Sequence, residues 1–262
     1  MKLICKDLSD EYASLDAIVA ELEPSAWEKV TPFYKWTIKD EISHLAYFDR
    51  AAFFSASDKQ AFNKDMEQML EGFTGYTQMH RKVNSVGGDM TCNDLLHWWR
   101  DERKRLISAF EKLDPKTRLP WYGPTMSAKS SATARLMETW AHGQDIVDTL
   151  KIKRKDTDRL KHIAHIGVKT YSWSFKNRNI EVPEAEIRLE LKSPTNELWI
   201  WGPEGAQESI TGTAKDFCLI VTQRRHPDDT KIKTRGEISR KWMENAQAFA
   251  GPPEEGPKRK EL

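Results

Sequence analysis

The stretch Ser131-Ala132-Thr133-Ala134-Arg135-Leu136-Met137-Glu138-Thr139-Trp140-Ala141-His142-Gly143-Gln144-Asp145-Ile146-Val147-Asp148-Thr149-Leu150 decides how the chain is read. Leu136, Trp140, Val147 and Leu150 fall on one side of a helix that Ser130 or Ser131 would open. Glu138 and His142 are four residues apart, so both side chains leave one face a turn from each other. They are embedded in the apolar run Leu136–Ala141, which predicts that they point inward. A carboxylate buried without a partner is costly, and a metal ion supplies one.

Outward from this helix, three more amphipathic patterns precede it. Leu8, Tyr12, Leu15, Ile18, Val19 and Leu22 recur at helical spacing, with Ser9 or Asp10 as a cap and Pro24 as a stop. Ile38, Ile42, Leu45, Phe48 and Ala52 describe a helix from about Thr37 to Ser57. Leu95, Leu96, Trp99, Leu106, Phe110 and Leu113 describe one capped by Asn93 and ended by Asp114-Pro115. Charge over Asp58–Glu67 suggests another helix, and Gly87-Gly88 marks a break. Residues 115–130 read as a loop. Four long amphipathic helices before residue 151 predict a four-helix bundle.

Residues 157–176 read as one more helix. After Pro183 the period changes to two. Ile187, Leu189 and Leu191 alternate with charged residues, and Leu198–Trp201 is the hairpin partner across Pro194-Thr195-Asn196. Ala214–Val221 returns to helical spacing, and a last helix runs through Ile238, Trp242, Asn245 and Phe249, with Gly251 just beyond it. The expected class is α+β: a helical domain over 1–165, a smaller α/β domain over 166–251, and a disordered charged tail over 252–262.

His44 supplies a third ligand-type side chain. It sits in Ile42-Ser43-His44-Leu45-Ala46-Tyr47-Phe48, also among apolar neighbours. A Glu-x-x-x-His pair alone is common on exposed helices. Three such residues on two helices of one bundle make a stronger case for a divalent ion on His44, Glu138 and His142. Zinc suits this set, and nickel, iron and copper are compatible.

Composition narrows the function classes. The 262 residues are 39% hydrophobic and 31% charged, with a net charge of +1, which gives no footprint for nucleic acid or an anionic membrane. No apolar run approaches a bilayer span. The N-terminal residues do not read as a signal peptide, nor the C-terminal ones as a retention signal. Cys5, Cys92 and Cys218 are odd in number and far apart, so a disulfide framework or thiolate zinc site is not expected. A cytoplasmic location and small-molecule chemistry follow as expectations. The oligomeric state is left open. The ten tryptophans read first as core, then as pocket walls.

The segments Trp36–Asp49 and Arg135–Asp145 resemble the DinB-like metal-binding domain of mycothiol-dependent maleylpyruvate isomerases. Thr211–Leu219 and Gln247–Pro253 are similar to the C-terminal portion of such proteins. The resemblance is to an uncharacterised branch of the family more than to the isomerase itself. It places the family's zinc ligands on His44, Glu138 and His142. It also implies a low-molecular-weight thiol cosubstrate that adds to an unsaturated acid and leaves after a bond rotation.

Around the ligands, Asp49 and Asp145 are candidate hydrogen-bond acceptors for the histidines. Trp121, Tyr122 and Met126 are candidate pocket walls, and Arg224, beside Arg225, is a candidate for a substrate carboxylate. His80, His97, His162, His165 and His226 have no partner at a useful spacing. Two other classes remain open: a hydrolase using metal-activated water with Asp145 or Asp49 as base, and a non-catalytic metal or ligand carrier.

Overall fold

The computed structural model describes residues 1–259 and divides into two compact units, Met1–Lys153 and Arg154–Leu262. The first unit contains α1 (Lys2–Val19), α2 (Pro24–Trp27), α3 (Ile38–Ser57), α4 (Lys59–Leu70), α5 (Tyr76–Gly88), α6 (Cys92–Glu111) and α7 (Ala128–Leu150). A two-stranded ribbon, β1 (Arg118–Leu119) with antiparallel β2 (Met126–Ser127), lies between α6 and α7. Helices α1, α3, α6 and α7 pack on one another as a bundle, with α4 and α5 laid against α3.

The bundle follows from the apolar faces. Leu8, Leu15, Ile38, Ile42, Leu45, Trp99, Leu106, Phe110 and Leu136 are all buried. The caps differ from the sequence reading by a few residues, because hydroxyls further upstream reach the free amides. Thr91, not Asn93, caps α6 by accepting from the Asp94 amide. Ser127, not Ser130 or Ser131, caps α7 by accepting from Ser130. Helix α1 starts after Met1, upstream of Ser9 and Asp10. At α3 the Thr37 side chain accepts from Asp40 and the Asp40 carboxylate accepts from the Thr37 amide, a reciprocal box that fixes the register of the helix.

A charged clasp joins α1 to α6. Asp16 accepts from Arg100 at 2.6 and 2.9 Å and also from Arg103. Burial opposes ionisation of Asp16, but the two guanidinium groups outweigh it and hold its carboxyl below 3.8. A carboxyl depressed in the folded state adds stability above its unfolded pKa, and that stability is lost as pH falls through the folded pKa. Asp16→Asn is therefore expected to cost about 1–3 kcal/mol at neutral pH. In urea melts repeated over pH, its deficit should shrink in acid, below about pH 4.

The second unit contains α8 (Leu160–Lys169), α9 (Tyr171–Lys176), β3 (Ile187–Lys192), β4 (Leu198–Trp201), β5 (Glu208–Thr213), α10 (Ala214–Val221), β6 (Lys233–Arg235) and α11 (Glu237–Asn245). The sheet order is β4-β3-β5-β6, with β3 and β5 parallel and the other neighbours antiparallel. Helix α8 packs on α10, so the division falls at residue 153 and not at 165. The helix foreseen over 157–176 is two, parted at Thr170. The last helix stops at Asn245, before Phe249, because the chain turns back to bond Gln247 to the Ser174 hydroxyl and Ala248 to the Val221 carbonyl. Residues 252–254 are held by Gln247, Gln223 and Arg178, so the expected disordered tail does not begin at 252. Residues 260–262 of that tail lie outside the described residues. Among the described residues no helix is long and apolar enough to cross a membrane.

Candidate metal centre

Helices α3 and α7 pack together and each contributes one face to the centre. Glu41, His44 and Phe48 follow one another at helical spacing on α3. Glu138, His142 and Asp145 do so on α7. One donor atom from each of His44, Glu138 and His142 lies within 4.8 Å of the others. Glu138 Oε2 is 3.1 Å from His142 Nε2 and 3.6 Å from His44 Nε2. Donors held about 2.0–2.1 Å from one tetrahedral zinc are separated by about 3.3 Å, so these spacings bracket that of a shared ion. The 3.6 Å separation is too long for a hydrogen bond. The buried Nδ1 of His44 has no hydrogen-bond partner either.

Glu41 fixes the orientation of His142. Its Oε2 lies 2.6 Å from His142 Nδ1, and its Oε1 accepts from the Thr31 hydroxyl at 2.7 Å. Glu41 is fully buried, and burial raises its carboxyl above the usual range despite the offsetting bond to His142. A proton on Nδ1 that is donated to Glu41 leaves the Nε2 lone pair facing the Glu138 carboxylate. Two acceptors at 3.1 Å need a proton or a cation between them.

The protonation states fit a ligand set. Burial, then repulsion by His142, pushes His44 down to about 3, so it is neutral at pH 7. Burial opposes ionisation of Glu138, yet the imidazoles of His142 and His44 hold its carboxyl well below the usual range. Neutral imidazole and ionised carboxylate are the forms that bind metal. The donor set therefore fits a divalent cation. The side chain of Glu138 is 24% exposed against 3% for His142, so the centre opens on the Glu138 side.

Aromatic rings enclose the rest. Trp36 stacks on His142 at 5.9 Å and leans on His44 at 5.1 Å, Phe33 meets His142 edge-on at 5.3 Å, and Phe48 meets His44 at 4.7 Å. The loop carrying Phe33 and Trp36 is tied by the Thr31 amide to the Trp36 carbonyl at 2.6 Å, and holds Tyr34 and Lys35 at φ of 47° and 60°. Non-glycine residues there are strained, which is common beside functional sites.

Asp145 lies behind His142, 3.9 Å from Nδ1 and away from the open side, a poor position for a base acting on bound water. Asp49 does not orient a histidine. Its carboxylate accepts from Tyr12 at 2.6 Å, Arg135 at 2.8 Å and Trp99 at 3.2 Å, forming a buried knot in the bundle core. Trp121 and Tyr122 pack on Phe48, one ring behind the ligands, and Tyr122 also donates to Asp65. Met126 sits in β2 opposite Leu119. Arg224 belongs to the second unit, where it is buried and donates to the Thr222 carbonyl.

Glu41, Phe33 and Trp36 escaped the sequence reading. Glu41 had a signal, since it stands three residues before His44 on the same helix. The two rings come from a loop and carry no period.

Two histidines and a carboxylate thus converge where α3 meets α7, a donor set that could hold a metal ion, and sequence comparison gives the family. Residues 8–147 match the family model described as the mycothiol maleylpyruvate isomerase N-terminal domain. Two uncharacterised proteins of Mycobacterium tuberculosis, one from strain H37Rv and one from strain CDC 1551, are each 40% identical over 253 residues, covering 95% of this chain and 96% of theirs. The chain belongs to the mycothiol maleylpyruvate isomerase family. Crystal structures of the mycothiol-dependent maleylpyruvate isomerase and of a mutant form share its fold, with TM-scores of 0.57 and 0.58 at 14% identity, over 89% of this chain and 92% of theirs.

Proposed function

We propose that this chain is a metal-dependent enzyme that uses a low-molecular-weight thiol of the mycothiol type to isomerise, or add to, a small unsaturated acid. The convergence of His44, Glu138 and His142 on one point, with Glu41 fixing His142, carries the reading. Zinc is the ion we assign, since mixed imidazole and carboxylate donors in an open set suit it. When bound, it would acidify a coordinated thiol and polarise a carbonyl.

The chain's own residues do the rest. Glu41 keeps the proton of His142 on Nδ1 and Nε2 free to ligate. Trp36, Phe33 and Phe48 exclude water from three sides and leave the Glu138 side for the reactants.

Glu41→Gln tests the positioning. It is expected to weaken zinc binding about 10–100-fold in a competition titration while the fold survives. Unchanged affinity would mean that Glu41 does not hold the ligand. The function itself is tested by following cis-to-trans conversion of maleylpyruvate by zinc-loaded protein. Turnover should require mycothiol and vanish in Glu138→Gln. Zinc-loaded protein that converts the acid equally well without thiol, or not at all with it, would overturn the proposal.

A further inference from the structure

His80 sits at the rim of this centre and has no place in the ligand set. It comes from α5, outside the four bundle helices. Its ring meets the Trp36 indole edge-on at 5.2 Å and 88°, and lies 5.2 Å from the Tyr34 ring. Trp36 touches both His44 and His142, so one indole links His80 to both imidazole ligands. Among the described residues neither ring nitrogen of His80 makes a hydrogen bond or ion pair. The residue is half-buried, so it is reachable from solvent yet partly stripped of it.

We propose that His80 is the proton-transfer residue of the centre, taking the proton of an incoming thiol and returning it when the thiol departs. The inference rests on the thiol chemistry proposed above. On arrival the S–H bond breaks, the electron pair stays on sulfur, and an N–H bond forms on the imidazole. Sulfur then adds to the unsaturated carbon. After rotation the C–S bond breaks, the pair returns to sulfur, and the His80 proton restores the thiol. Protons and electrons balance with no other reactant.

The other members of the cluster are engaged elsewhere. His142 is tied through Nδ1 to Glu41, and His44 and Glu138 are assigned to the ion. Tyr34 is a phenol and too weak a base at neutral pH. The charged groups acting on His80 across the site are His142 and Glu138. Burial, then repulsion by His142, lowers the His80 pKa against an opposing pull from Glu138, which leaves a neutral ring able to accept a proton. An imidazole in this condition is the usual proton carrier near pH 7.

The test is calorimetric titration of mycothiol into zinc-loaded protein in two buffers of different ionisation enthalpy. This reads the protons released per thiol bound, independently of turnover. Wild type should release few protons at pH 7, because the thiolate formed on binding favours the charged imidazolium and so holds the proton on His80. His80→Gln should release roughly one more per thiol bound, with zinc content unchanged. Turnover of His80→Gln should fall about 10²–10⁴-fold, and added imidazole should partly rescue His80→Ala. Equal proton release in wild type and His80→Gln, or no imidazole rescue, would overturn the role of His80 and leave the thiol reading standing. Zinc-loaded wild type that binds no mycothiol would instead remove the function on which it rests.

Discussion

His142→Ala is expected to abolish stoichiometric metal binding and, with it, the thermal stabilisation that zinc confers. Zinc supplied at 100–1,000 times its Kd should stabilise the wild type by about 3–4 kcal/mol, and this increment should vanish in the mutant. The metal-free mutant should also be weaker than metal-free wild type. His142 is the partner that covers the buried Glu41 carboxylate at 2.6 Å, and its removal leaves that group with Thr31 and an acidic neighbour, Asp145. An orphaned buried acceptor costs about 1–3 kcal/mol. Melting curves with and without zinc separate the two contributions, since only the first depends on added metal.

Arg135→Ala is expected to have the largest effect away from the metal. Arg135 and Asp49 form an ion pair with side chains 4% and 0% exposed. Removing the guanidinium leaves the Asp49 carboxylate in the bundle core with only the Tyr12 hydroxyl and the Trp99 indole N–H. Breaking a buried pair from one side costs about 3–5 kcal/mol, because the remaining charge is uncompensated. Urea denaturation should show that loss. The double variant Asp49→Asn/Arg135→Met should recover much of it, since no charge stays buried. A loss in the single variant below about 1 kcal/mol, the size of an exposed pair, would mean that the knot is far more solvated than its geometry indicates.

The parts of this protein that were readable in advance are those governed by a period. The bundle helices announced themselves through residues such as Ile38, Ile42 and Leu45, and β3 through Ile187, Leu189 and Leu191. The split within 157–176 was hidden because Thr170 is an ordinary helix residue with no breaker chemistry. Strand β5, Glu208–Thr213, lacks alternation: it carries Gly212 and three hydroxyl residues, and it forms between the parallel edge of β3 and antiparallel β6. At the centre, the three candidate donors were visible as spacings within two helices. Asp49 was misread because α3 carries both an acid that faces a histidine, Glu41, and one that faces the core, Asp49. A spacing of five residues from His44 does not say which neighbours, here Tyr12, Trp99 and Arg135, capture the carboxylate. His80 and the Phe33–Trp36 loop depend on how α5 and an irregular segment close over the site, which no local pattern encodes.

Elemental analysis of freshly purified wild type beside His44→Ala and Glu138→Ala tests the central claim most directly. The account predicts about one divalent ion, zinc, per folded wild-type chain and a strong loss in both variants, with their circular dichroism retained. Metal content equal in all three proteins, or wild type that neither carries a metal nor takes up added zinc, would contradict it.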